Sequence, residues 1–258
     1  MHDLNPSNRD LLPWHNHAPA ADYLNGKVIL VTGAGSGLGR CLSMSLASFG
    51  ATVLLLGRRQ KPLEQVYDAI LKAGYPRPAL LPFDLENALA GHYDQLAEVI
   101  GTEFGQLHAL INNAAILGTR APIENYDMPT WCRVLQVNLT ATFALTQSVL
   151  PLLHAALDAR VVFSTCDQGV RGTAYFGAYA VAKAGLERFA EVLADEQEGR
   201  LAVHCVDPGP MHTNLRALVF PAEGGRLAPA PESATRPYLW LLDAQAHSSP
   251  APWRVVNG

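Results

Sequence analysis

Long apolar runs are scarce in this 258-residue sequence. The longest, around residues 143–157, is broken by Thr146, Gln147, Pro151 and His154. It falls short of the ~18 uninterrupted apolar residues that a membrane helix needs, so a soluble protein without membrane partners is expected. Charge is also sparse. Nineteen Lys and Arg against 23 Asp and Glu leave a formal net charge of −4, and the basic residues form no stripe. A polyanion such as DNA or RNA meets no electrostatic footprint, which argues against a nucleic-acid partner. The four cysteines, Cys41, Cys132, Cys166 and Cys205, lie far apart without a CxxC pair. They make neither a disulfide framework nor a zinc ligand set, and a reducing cytoplasm is the expected location. His15 and His17 stand as a His-x-His with no carboxylate or cysteine cluster in support, so they read as solvated and no metal is predicted. The first 25 residues have no basic flank followed by an apolar stretch. They do not resemble a secretory signal and read as a polar arm, leaving 26–258 as one domain.

What is present is a large apolar fraction. Hydrophobic residues make up 49% and charged residues 16%, enough for a sizeable core. Short β-branched or Leu-rich runs at 28–31, 52–56, 79–83, 109–111, 161–164 and 201–206 read as strands, with Val255 and Val256 as a seventh. Stretches of helical period lie between them at 38–49, 61–72, 93–104, 130–157 and 175–196, each long enough for a right-handed crossover. The pattern predicts an α/β Rossmann fold: one doubly wound parallel sheet of about seven strands with helices on both faces. Ligands then belong at the carboxyl ends of the strands. From about 214 to 237 Pro221, Gly224, Gly225, Pro229 and Pro231 loosen the pattern; this segment reads as a substrate flap, leading into a short helix at 234–242.

Directly after the first strand come Thr32, Gly33, Ala34, Gly35, Ser36, Gly37, Leu38 and Gly39. Glycines let a backbone turn sharply and approach a pyrophosphate, and the amides of the following helix N-terminus face the phosphates. A flexible turn would also use glycine, but the place between first strand and first helix favours phosphate binding. An NAD enzyme usually ends its second strand with an acid that holds the ribose hydroxyls. Here Gly57, Arg58 and Arg59 stand instead. Guanidinium groups can grip a 2′-phosphate, which favours NADP(H) over NAD(H), although two arginines also suit a solvated surface. Asp84 and Leu85 follow the third strand, and Asn113, Ala114 and Ala115 follow the fourth. An acid at Asp84 can accept from an adenine amino group, and the small residues let a ribose lie against the backbone; ordinary turn chemistry is the alternative.

Tyr179 and Lys183 are four residues apart on one predicted helix, hence on one face. A phenol is a weak acid-base catalyst at neutral pH, and a nearby ammonium favours its ionised form. The pair alone is common on helix surfaces; the glycine loop upstream gives it weight.

Together these motifs resemble the short-chain dehydrogenase/reductase family over about residues 26–213. Thr32 to Gly39 is similar to the family's TGxxxGxG loop, Asn112 to Ala115 to its NNAG segment, and Asn138 to its helix asparagine. Tyr179 to Lys183 is similar to its YxxxK, and Pro208, Gly209 and Thr213 to its PGxxxT. The stretches at 177–183, 194–196 and 238–242 resemble a bacterial subgroup called YciK-like. The resemblance implies an oxidoreductase interconverting a small-molecule carbonyl and alcohol by hydride transfer with NADP(H). Tyr179 then donates the proton, Lys183 holds the nicotinamide ribose and lowers the Tyr179 pKa, and Asn138 positions a relay water. Pro208, Gly209, Met211 and Thr213 line the nicotinamide side. The family pairs through its long helices, so a homodimer or homotetramer is implied, and Trp131, Phe143, Phe189 and Val192 supply apolar residues beyond what one sheet requires.

The sequence departs from the pattern at two positions. The family serine 13 residues before the tyrosine is Cys166 here. A thiol is a weak donor, and losing a well-placed donor to a reacting oxygen typically costs about 10²–10³ in rate. Ser164 and Thr165 do not reach that position easily, and Gln168 is a more mobile candidate. Ala115 replaces a glycine, a change expected to be tolerated. Cys166 leaves three readings open: a degraded catalytic donor, a small buried hydrophobe, or a redox-sensing thiol. Cys166 in place of the family serine also motivates an alternative: a cofactor-binding protein with impaired catalysis that serves as a sensor or assembly partner.

Overall fold

The computed structural model describes residues 13–167, 171–221, 228–243, 246 and 249–254. The strands β1 (Val28–Thr32), β2 (Thr52–Gly57), β3 (Ala79–Pro82), β4 (Ala109–Asn112), β5 (Arg160–Ser164), β6 (Ala202–Asp207) and β7 (Ser249–Arg254) form one seven-stranded sheet. Its order is β3-β2-β1-β4-β5-β6-β7, and every pairing is parallel. The order reverses between β1 and β4, which opens a crevice at the carboxyl ends of those strands. The seventh strand lies at Ser249–Arg254, while Val255 and Val256, expected to form it, fall outside the described residues.

Alternation along the strands divides the core in two. Leu30, Leu54, Leu56, Leu110, Val161 and Phe163 face one layer, built on α3 (Ala90–Phe104), α5 (Ala141–His154) and α6 (Gly177–Glu196). Ile29, Val31, Val53, Leu55, Ile111 and Val162 face the other, built on α1 (Gly37–Ser48) and α2 (Gln60–Lys72). Each leucine or isoleucine fully withdrawn from water contributes about 1.5–3 kcal/mol before chain entropy is counted.

The stretch expected as one helix over 130–157 is divided. Helix α4 (Met128–Leu135) starts where the Asp127 carboxylate accepts from the Thr130 amide, with Pro129 in its first turn. A π-turn, Gln136–Thr140, then separates it from α5. Asn138 is buried within that turn, and its side chain bonds across to the loop after β4, which holds the extra residue in place. Helix α6 begins at Gly177 rather than 175, because Tyr175 takes a left-handed φ of 70°. Where one helix was expected over 234–242, a 3₁₀ turn (Pro231–Thr235) leads into α8 (Arg236–Leu241); the short helix α7 (Asn214–Val219) precedes both.

Within the described half of the first 25 residues, two apolar side chains dock on the domain. Trp14 is buried, with its ring centroid 6.0 Å from those of both Trp240 and Trp253, and Leu24 is also buried. His17, expected to be solvated, instead bonds Asp243 through Nε2 at 3.0 Å. Two apolar side chains in an otherwise polar segment carry too weak a periodic signal to reveal this docking. Among the described residues no helix is long and apolar enough to cross a membrane.

Candidate active site

Thr32 ends β1 and acts as the junction between β1 and β4. Its hydroxyl oxygen accepts from the amides of Asn113 and Ala114, each at 2.9 Å, and the Asn113 side chain donates back to the Thr32 carbonyl at 3.0 Å. The chain turns at Gly33 with a φ of +69°. Six residues on, a Cβ at Gly39 would lie 2.2 Å from the Gly33 carbonyl oxygen, so only glycine lets α1 sit this close to the loop. Ser36 occupies the N-cap of α1 without a side-chain cap bond, leaving the first-turn amides without that partner. Loop and helix terminus together form an anion cradle of backbone N–H groups.

A cavity of about 760 Å³ runs from this cradle across the ends of β1, β4, β5 and β6. Gly33, Gly35, Ser36, Gly37, Leu38, Arg58, Arg59, Asp84, Leu85, Asn113, Ala114, Ala115, Cys166, Tyr179, Lys183, Pro208, Gly209, Met211 and Thr213 all line it. Gly39 and Asn138 do not; each works one layer behind the wall. Arg58 and Arg59 stand exposed at the rim beyond β2. Arg58 pairs with Glu86 at 3.0 Å, and Arg133 reaches the same carboxylate at 2.8 Å. Asp84 accepts from the Glu86 amide through one oxygen and from the Asn87 side chain through the other, so turn chemistry occupies part of its acceptor capacity.

At the opposite end Tyr179 and Lys183 face the cavity from α6, both nearly fully buried. Lys183 Nζ donates to the Ser164 carbonyl at 2.6 Å and lies 5.8 Å from the centroid of the Tyr179 ring. Burial lowers the pKa of Lys183, opposed by the negative ends of Cys166, Cys205, Asp207 and Glu187. Burial pushes the Tyr179 phenol well above its ordinary range, and Cys166 pushes the same way through charge and a side-chain hydrogen bond. The expected lowering of this phenol by Lys183 is therefore not met in this geometry: desolvation of the phenolate outweighs it. Ser164 turns its hydroxyl away, to the buried Tyr238 hydroxyl at 2.7 Å, and Thr165 donates to Glu187 at 2.5 Å. Neither compensates for Cys166, and Gln168 lies outside the described residues.

Asn138 is anchored to the loop after β4. Its side-chain oxygen accepts from the Ile116 amide and its NH₂ donates to the Ile116 carbonyl, both at 2.8 Å. With both ends engaged, the side chain clamps the loop after β4 to the π-turn. Thr213 caps α7 by accepting from the Arg216 amide at 3.2 Å, which leaves its hydroxyl proton free to donate elsewhere. Gly209 is held at a φ of +74° while its amide donates to Asp207.

The family model for short chain dehydrogenase matches residues 27–224. The chain belongs to this family. It is 39% identical over 227 residues to the uncharacterised oxidoreductase YciK of Escherichia coli K12, covering 88% of this chain and 90% of that protein, which supports the YciK-like subgroup. A short-chain dehydrogenase structure from Pseudomonas syringae is 38% identical with a TM-score of 0.90, covering 93% of this chain and 98% of that one. One from Escherichia coli CFT073, in complex with NADPH, is 38% identical with a TM-score of 0.89, covering 92% and 99%.

Sequence reasoning missed much of the wall of this short-chain dehydrogenase. Ile116, Leu117 and Phe176, which no motif marked, join Leu215, Val219 and Phe220 of the expected flap to give the cavity an apolar end next to Cys166 and Tyr179. Phe176 carried a usable signal, since three residues before Tyr179 places it on the same side of the helix start. Asp207, directly before Pro208, likewise follows from its place at a strand end, where ligands gather in such sheets. Pro62 and Glu86 reach the wall only through the packing of α2 and the turn after β3, and no local pattern marks them.

Proposed function

We propose that the chain is an NADP(H)-dependent oxidoreductase acting on a CH–OH/carbonyl pair. The observation that carries this reading is that one cavity joins an anion cradle, two rim arginines and the Tyr179/Lys183 pair. The residues present fit a dinucleotide: the close approach at Gly33 and Gly39 leaves no room for side chains, and Arg58 and Arg59 stand where an acid would repel a 2′-phosphate. The NADPH held by the Escherichia coli CFT073 relative supports the same choice. When bound, the dinucleotide supplies or takes up hydride.

The chain's own residues then handle the proton. Tyr179 keeps its proton across neutral pH, which suits donation from its hydroxyl to a carbonyl oxygen as negative charge develops there. Cys166 Sγ lies within the same hydrogen-bond cluster and is the second contact for that oxygen, weaker than the serine it replaces. Lys183, fixed by the Ser164 carbonyl, holds its ammonium beside the phenol and the ribose side of the cavity. Asn138 keeps the loop carrying Ala115 and Ile116 in register. The test is NADPH oxidation by the purified protein with a panel of ketones and aldehydes, compared with NADH; Tyr179→Phe is expected to abolish turnover. Equal background in both proteins counts against the reading.

A second reading, a cofactor-binding protein with weak catalysis, is favoured by the Cys166 contact with Tyr179. Full NADPH affinity with negligible turnover, unchanged in Cys166→Ser, is its signature. We also propose a homodimer or homotetramer. Phe143 and Val192 are 44% and 48% exposed on α5 and α6, whereas Phe189 and Trp131 are partly buried within the subunit. A monomeric mass by light scattering contradicts it.

A further inference from the structure

The loop after β4, which carries Arg120, and the expected substrate flap that begins at residue 214 are remote in the chain. One side chain ties them together. Arg120 Nη1 donates to the Val219 carbonyl at 2.7 Å, and its guanidinium carbon lies 5.1 Å from the centroid of the Phe176 ring and 5.9 Å from that of Phe220.

Val219 is the last residue of α7, where carbonyls lack an intrahelical donor. A six-residue helix is also too short to persist on propensity alone. Arg120 supplies the missing donor and places positive charge at the negative end of the helix dipole. Its planar group meanwhile spans two aromatic faces, one from the start of α6 and one from the end of α7. The roof of the cavity is thereby pinned to its wall. Beneath the pin, Ile116, Leu117, Phe176, Leu215, Val219 and Phe220 lead to Cys166 and Tyr179.

We infer that Arg120 is a specificity-determining residue that shapes this apolar chamber for a carbonyl compound bearing a ring or branched hydrocarbon substituent. The inference rests on the carbonyl-reduction reading. A carboxylate in place of the hydrocarbon would lose its hydration against these apolar side chains.

The experiment compares kcat/KM with NADPH for acetone, cyclohexanone, acetophenone and pyruvate in the wild type, Arg120→Lys and Arg120→Ala. The wild type is expected to rise from acetone to acetophenone and to disfavour pyruvate. Arg120→Ala is expected to flatten that gradient by about 10-fold, through KM rather than kcat. Arg120→Lys keeps a donor for Val219 but not the planar contact, and falls between. A flat wild-type gradient, a preference for pyruvate, or an equal loss on all four compounds overturns the inference. If nothing is turned over, saturation-transfer NMR of acetophenone on the NADPH-loaded protein decides. Binding lost in Arg120→Ala but kept in Tyr179→Phe upholds the chamber while the catalytic reading fails; equal binding in wild type and Arg120→Ala sinks the chamber.

Discussion

Tyr238 and Ser164 share a fully buried hydrogen bond of 2.7 Å between their hydroxyls, and the carbonyl of that same Ser164 receives the Lys183 ammonium at 2.6 Å. A side chain on α8 thus steadies the strand end that holds the lysine. Tyr238→Phe leaves the Ser164 hydroxyl without this partner, at a cost of about 1–3 kcal/mol. A fall in Tm of several degrees in thermal unfolding is expected, with a higher KM for NADPH because the strand end whose carbonyl holds Lys183 is less firmly fixed. Unchanged Tm and KM would show that the contact is dispensable.

Cys166→Ser restores an oxygen donor where a carbonyl oxygen is polarised. It also removes the thiol contribution that raises the Tyr179 phenol. Reductive turnover is expected to increase, toward the about 10²–10³ that one such donor supplies. The alkaline limb of the pH–rate profile, set by loss of the Tyr179 proton, is expected to move to lower pH. Both effects are read from one set of pH-dependent rate measurements, and a limb that moves upward contradicts the assignment.

The arginines beyond β2 predict a cofactor-selective loss. Arg58→Ala combined with Arg59→Ala is expected to raise the KM for NADPH by about 10–100-fold, since charge-assisted contacts to a phosphate contribute about 1.5–3 kcal/mol. The KM for NADH is expected to change little. Equal losses with both cofactors imply that the arginines only support the fold through Glu86.

His204 predicts acid sensitivity. It is fully buried on β6, and burial, assisted by the Arg160 guanidinium 3.4 Å away, lowers its pKa to about 3. The unfolded chain binds a proton near pH 6.5 and the folded one does not, so this stability is complete above about 6.5 and is lost as the pH falls toward 3. The slope is about 1.4 kcal/mol per pH unit within that window. His204→Gln is expected to flatten the acid limb of a denaturation series between those limits, and an unaltered limb refutes the assignment.

The sheet was legible because its strands are apolar on both faces, as parallel strands covered by helices must be. Glycine positions were legible for a related reason: Gly33 and Gly39 answer to backbone geometry, which sequence spacing records directly. The role of Asn138 was not. Its clamping partners are the backbone atoms of Ile116, 22 positions earlier, and only the π-turn aims its side chain there. The Tyr179 pKa was misjudged because a helical spacing shows which charge is near and says nothing about how much water is gone. Of the apolar chamber, Leu215, Val219 and Phe220 lie in the segment read as a flap, whereas Ile116, Leu117 and Phe176 escaped because they come from a separate loop and a helix start.

Trp14 packs against Trp240 and Trp253, whose own ring centroids lie 5.1 Å apart, so that described elements far apart in the sequence complete one aromatic cluster. During translation the indole made first waits, with its apolar surface uncovered, until the strand that supplies Trp253 has left the ribosome.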